Sequence, residues 1–132
     1  MNTQIGHLSI AEARAQLRPW PRRAPAIARD EYAQRLERLR RQMRVQSVDA
    51  VLIDAGESLR YFAGLPWRAS ERLVALLVTA RGLPVLICPA FEEGSLDALL
   101  SIEVEKRLWL EHEDPHARVA QALRERGARS LA

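Results

Sequence analysis

Few residues of this chain have the types and spacing that bond-breaking chemistry needs. His112 and His116 stand four apart in "HEDPH", a spacing that binds zinc when both rings share a helix face. Pro115 lies between them and opens the next helix, so the rings are expected to diverge as solvated turn residues. Glu92 and Glu93 are adjacent, and on a helix adjacent side chains point about 100° apart, which makes a poor acid–base pair. The single thiol, Cys88 in "PVLICPAFE", cannot form an internal disulfide. Its neighbours Ile87 and Pro89 suit a buried small hydrophobe, whereas a nucleophile wants a cationic, partly exposed setting. There is no Gly-rich phosphate loop, nucleophile elbow or Cys-x-x-Cys pair. No residue is therefore assigned a catalytic or metal-binding role.

One stretch remains, "YFAGLPWRASER" at residues 61–72. It gathers a Tyr, a Phe, a Gly, a Pro, a Trp and two Arg between two segments that read as buried. It is either a loop that packs well or one that touches a ligand, and composition does not choose between these.

The elements that must position it follow from periodicity and caps. "SIAE" at 9–12 is a capping box that opens a short helix to about Leu17. "RPWPRRAP" at 18–25 breaks that helix and reads as a strap, pinned by Trp20. Asp30 is expected to cap the next helix, on which Tyr32, Leu36, Leu39 and Met43 form one apolar stripe. Arg35, Arg38, Arg41 and Arg44 fall on its other faces. "SVDAVLID" is apolar on successive residues and reads as a central strand covered on both sides. "GESLRYFAG" is a short helical turn stopped by Gly64 in a left-handed conformation. "RLVALLVT" and "LPVLIC" form a hairpin turned at Gly82. A helix is expected over 89–101, an edge strand over 104–112, and a helix over 114–127 with Asp114 as cap and Pro115 at its first position. The last residues, "ARSLA", begin another apolar strand, so the polypeptide is expected to continue. The fold class is α/β: a mixed β-sheet flanked by helices on both faces.

The 132 residues, 48% hydrophobic and 28% charged, suit one domain with one core. No apolar run is long enough to span a bilayer, and no secretory signal opens the chain. No membrane partner and a cytoplasmic location are expected. Residues 1–44 carry ten Arg against four acids, and residues 45–132 ten basic residues against thirteen acids. Arg35, Arg38, Arg41 and Arg44 could meet phosphates, but no aromatics interleave with them as a nucleic-acid surface would want. No nucleic acid is expected as a partner; a stand-alone interaction or nucleic-acid-binding module using the Arg-rich half is the alternative reading.

The order of "EYAQRLERLRRQM", "VDAVLID", "ESLRYFAG", "SERLVALLVT" and "GLPVLICPAFE" resembles the N-terminal domain of the creatinase, prolidase and aminopeptidase P family. Tyr61, Gly64, Glu71, Arg72, Pro89, Phe91 and Glu92 match best. The resemblance covers residues 30–132 and leaves 1–29 as a leader. It implies a ribonuclease H-like architecture and a following catalytic domain of pita-bread fold, absent from these residues. That domain would hold two divalent metal ions (Mn, Co or Zn) and cleave Xaa-Pro bonds, or creatine in one branch. The implied partners are the chain's own C-terminal catalytic domain, a second copy in a homodimer, and a proline-containing peptide.

In such a dimer the resemblance implies that the 61–72 loop reaches the neighbouring subunit's pocket. Trp67 would pack on the substrate's apolar ring, and Arg68 or Arg72 would meet its carboxylate. The alternatives are that Trp67 caps the core and Arg72 pairs with a local acid. The short leader and single N-terminal domain favour a prolidase-like over an aminopeptidase-like enzyme. An inactive relative is the third possibility.

Overall fold

The computed structural model describes residues 4–19 and 22–132. Two two-residue strands, β1 (Gln4–Ile5) and β2 (Leu8–Ser9), pair antiparallel at the start. They are too short to show a two-residue period, and sequence reading missed them. The capping box is present at α1 (Ile10–Gln16): the Glu12 N–H donates to Ser9 Oγ, and the Ser9 N–H donates to the Glu12 carboxylate at 2.8 Å. Trp20, expected to pin the strap, lies outside the described residues.

Helix α2 (Arg29–Gln46) buries Tyr32, Leu36 and Met43, with Leu39 half-buried, as the stripe requires. Its N-cap is Ala28 rather than Asp30, and no side chain caps it. Asp30 and Glu31 sit inside the first turn instead, where the helix dipole favours acids. After β3 (Ala50–Asp54), α3 (Glu57–Ala63) ends at Gly64, whose φ is +70°. Strands β4 (Ala75–Thr79) and β5 (Val85–Pro89) form the expected antiparallel hairpin, buried along their full length. The expected helix over 89–101 shrinks to a 3₁₀ turn at Ala90–Glu92 and one short helix, α4 (Glu93–Asp97). Gly94 and Ser95 weaken helix propagation there. Strand β6 (Glu105–Trp109) runs parallel to β5. Helix α5 (Pro115–Glu125) starts as expected, with the His116 N–H donating to Asp114 Oδ1 at 2.9 Å.

The sheet order is β3-β4-β5-β6, antiparallel except between β5 and β6. The expectation of β3 as a central strand is therefore corrected: it ends the four-stranded ladder. Its apolar run has the expected cause, burial on both faces. Val51 packs into the core on one face of the sheet and Leu52 on the other. Its outer edge is covered by the chain's last residues, which run parallel to it. The Ala50 N–H donates to Ser130 O at 3.1 Å and the Leu52 N–H to Ala132 O at 2.8 Å.

Alternation along the strands builds two cores. Leu76, Val78, Leu86 and Cys88 face α2, α3 and α4, packing with Leu36, Met43, Leu59 and Leu96. Leu77, Val85 and Ile87 face the other way, against Val119 and Ala122 of α5. Helices thus cover both faces of the mixed sheet. No helix among the described residues is long and apolar enough to cross a membrane.

A candidate substrate-facing loop

The loop between Gly64 and β4 is anchored at its root. Leu65 is fully buried, and the Trp67 N–H donates to its carbonyl at 2.9 Å. Trp67 is half-buried and packs against the core beneath α3. Arg68 is exposed beside it. The two line one groove of about 370 Å³ with Gly56, Glu57, Arg60 and Pro66. Arg68 has no ion-pair partner among the described residues, which leaves its guanidinium open to solvent.

Arg72 lies apart from that groove. Its Nε donates to Glu111 at 2.7 Å and its Nη1 to Glu71 at 2.6 Å. Its Cζ stands 5.5 Å from the Phe91 ring centroid. The hydrogen bond to Glu111, with the charges of Glu111 and Glu71, holds its pKa above the ordinary arginine value. The structure thus brings Trp67 and Arg68 together, while Arg72 is tied to local acids. Its Nη2 has no acceptor among the described residues.

Arg72, Phe91 and Glu111 gather near the carboxyl ends of β5 and β6. The chain leaves β5 toward α4 on one face, and leaves β6 toward α5 on the other. Phe91 is 62% exposed beside these strand ends. Glu92 Oε2 is buried there with no partner among the described residues.

The remaining chemistry-bearing residues are structural. Cys88 is fully buried, and burial followed by the charge of Glu93 pushes its thiol up to about 12. His112 and His116 are exposed, and His116 Nδ1 lies 3.2 Å from its own helix cap, Asp114. Among the described residues no three His, Cys, Asp or Glu side chains converge as a metal site.

The basic face of α2 needs one correction. Arg35 is 8% exposed, not solvated. It donates from Nη1 to Tyr61 O at 2.8 Å, pairs with Glu31, and lies between the rings of Tyr32 and Tyr61. Arg40 is likewise occupied, bonding Thr79 O at 3.0 Å and Gly82 O at 2.6 Å and so clamping the hairpin turn. The signal for Arg35 was local only in Glu31, one turn back. Its other partner is 26 residues away.

The fold is an α/β domain, a mixed sheet covered by helices on both faces. The sequence model of the creatinase/prolidase N-terminal domain matches residues 35–132, and the chain belongs to that family. Comparison with curated protein sequences gives no match. Among solved structures, dipeptidase PepE from Mycobacterium ulcerans is 30% identical with a TM-score of 0.69, over 75% of this chain and 27% of that one. A dipeptidase from Pyrococcus horikoshii is 29% identical with a TM-score of 0.58, over 70% of this chain and 25% of that one. The N-terminal domain of an Xaa-Pro dipeptidase from Lactobacillus brevis is 21% identical with a TM-score of 0.64, over 71% and 69% of the two chains, a likeness of fold alone. The chain spans about a quarter of the length of the first two.

Proposed function

We propose that this chain is the non-catalytic N-terminal domain of a dinuclear-metal Xaa-Pro peptidase, contributing to homodimerisation and to the substrate pocket of the neighbouring subunit. The observation that carries this reading is the 30% identity over 75% of the chain to a dipeptidase more than three times as long as the matched part. The loop geometry supports it. Trp67 offers a braced indole for the apolar ring of a prolyl residue. Arg68, without an acid partner, offers a forked donor for the substrate carboxylate. Arg72, tied to Glu111 and Glu71 outside the groove at Arg68, is the alternative donor to the carboxylate through its Nη2. The metal ions (Mn, Co or Zn) and the bond-breaking residues belong to the catalytic region in this reading, which acts on proline-containing peptides in the cytoplasm.

The test uses the complete enzyme with Trp67→Ala, Arg68→Ala and Arg72→Ala. A lost charged hydrogen bond is worth about 1.5–3 kcal/mol, so loss of the Arg that meets the carboxylate should raise KM for an Xaa-Pro dipeptide about tenfold or more. That change should matter far less for the Xaa-Pro amide, which lacks the carboxylate, whereas Trp67→Ala should weaken both substrates alike. Unchanged kcat and KM in all three variants would remove the loop from the pocket.

A further inference from the structure

The groove at Trp67 and Arg68 does not end at Pro66. Glu57, Arg60 and Pro66 line it, and the same three residues line a larger hollow of about 820 Å³ that reaches Tyr61 and Ile27. The two hollows adjoin along these residues, and Arg60 stands on their common wall.

Arg60 is held differently from Arg68. It sits on α3, whose Leu59 and Ala63 are buried in the core. Its carbonyl accepts the Gly64 N–H at 2.9 Å, so its backbone is fixed just before the loop begins. A side chain on a packed helix is placed more precisely than one on a loop. Its guanidinium nevertheless stays exposed, as does that of Arg68.

Both guanidinium groups are free of acids. Neither has one within ion-pair distance among the described residues, although Arg35, Arg40, Arg72, Arg107, Arg118 and Arg126 all do. Glu57 lines the same groove and pairs with neither. Like charges sharing a groove of about 370 Å³ repel each other. An anion between them relieves that repulsion, and with Glu57 present one net positive charge is left to neutralise. A carboxylate has two oxygens, each able to accept from a guanidinium. An amide offers one carbonyl oxygen and no charge.

We propose, resting on the peptidase reading above, that Arg60 is a second donor to the substrate carboxylate, taking one oxygen while Arg68 takes the other. The groove then selects peptides in which a free carboxylate follows the proline directly.

The test uses the complete enzyme with Arg60→Gln, Arg60→Lys, and Arg60→Gln combined with Arg68→Gln. Arg60→Gln should raise KM for an Xaa-Pro dipeptide about fivefold or more and leave KM for the Xaa-Pro amide within about twofold. Arg60→Lys, which keeps the charge, should recover part of the loss, and the combined variant should lose more than either single one. Arg124→Gln, removing an exposed cation of α5, should change neither substrate. Calorimetric binding of the dipeptide and its amide gives the same comparison without turnover. No loss for the dipeptide, or equal losses for dipeptide and amide, would overturn the role of Arg60. If Trp67→Ala and Arg68→Ala raise KM and Arg60→Gln does not, the peptidase reading stands and this role falls. If only Arg72→Ala raises it, the carboxylate lies outside the groove and the role falls as well. If no variant changes KM, both fall together.

Discussion

The guanidinium carbon of Arg35 stands 4.1 Å from the centroid of the Tyr61 ring, while Nη1 of the same side chain donates to the Tyr61 carbonyl at 2.8 Å. A single residue of α2 thereby holds both the face and the backbone of α3. This contact sets where the chain turns at Gly64 and hence where the 65–72 loop begins.

Arg35→Ala should therefore destabilise the fold by about 2–4 kcal/mol, from a lost charged hydrogen bond, lost ring stacking and an emptied buried site. Arg38→Ala, on the exposed face of the same helix, should change stability by less than about 0.5 kcal/mol. Urea titrations with matched m-values check the contrast.

Gly64 is constrained twice. Its φ of +70° disfavours any side chain, and an added Cβ would fall onto the Ser101 hydroxyl and come within 3.0 Å of the Tyr32 ring. Gly127 has a similar φ of +64° but open space around it. Gly127→Ala should cost about 1 kcal/mol of backbone strain. Gly64→Ala should cost clearly more, about 2–4 kcal/mol in all. Equal losses in thermal or urea melts would show that packing at Ser101 and Tyr32 yields without resistance.

The segment beside β3 is latched by Asp49. Its Oδ2 accepts from the Arg129 N–H at 2.8 Å and the Ser130 N–H at 3.0 Å, while its own N–H donates to Ser130 Oγ at 2.9 Å. The two backbone hydrogen bonds, that from Arg129 foremost, hold its pKa below the ordinary 3.8. A depressed carboxylate contributes stability above its unfolded value, and loses it as pH falls through the lower folded value. Amide protection at Arg129, Ser130 and Leu52 should thus be flat from neutral pH down to about 4 and fall below it. Asp49→Asn should show the loosened latch already at neutral pH. Protection that declines near pH 6 would point to another group.

Cys88 should resist modification. Its thiol is fully buried and raised to about 12, so alkylation of the native chain at pH 8 should be at least about a hundredfold slower than in denaturant. Rapid native labelling would mean that the layer between β5 and α4 opens readily.

What could be read from residues alone was local. Ser9 with Glu12, Asp114 with Pro115, and Gly64 after "YFA" specify their caps through neighbours a few positions away, and each holds in the structure. The runs of β4 and β5 are legible because both faces are buried. Arg35 was not legible, because a charge beside an apolar stripe ordinarily turns to solvent and only the distant Tyr61 draws it in. The place of β3 at the end of the four-stranded ladder was not legible, because strand order depends on pairings between residues remote in sequence, as Leu131 opposite Ala50 shows. Within the loop, Trp67 and Arg68 share a groove as their adjacency suggests. The grip of Glu111 on Arg72 spans 39 residues and no local pattern announces it.

In the proposed function these residues shape a peptidase pocket and break no bond themselves. Hydrolysis of an Xaa-Pro dipeptide, with Mn²⁺ or Co²⁺ present, should be measured for this chain alone and for the complete enzyme. The complete enzyme should turn the dipeptide over, and the isolated chain should do no better than background. Hydrolysis by the isolated chain would overturn the proposed role.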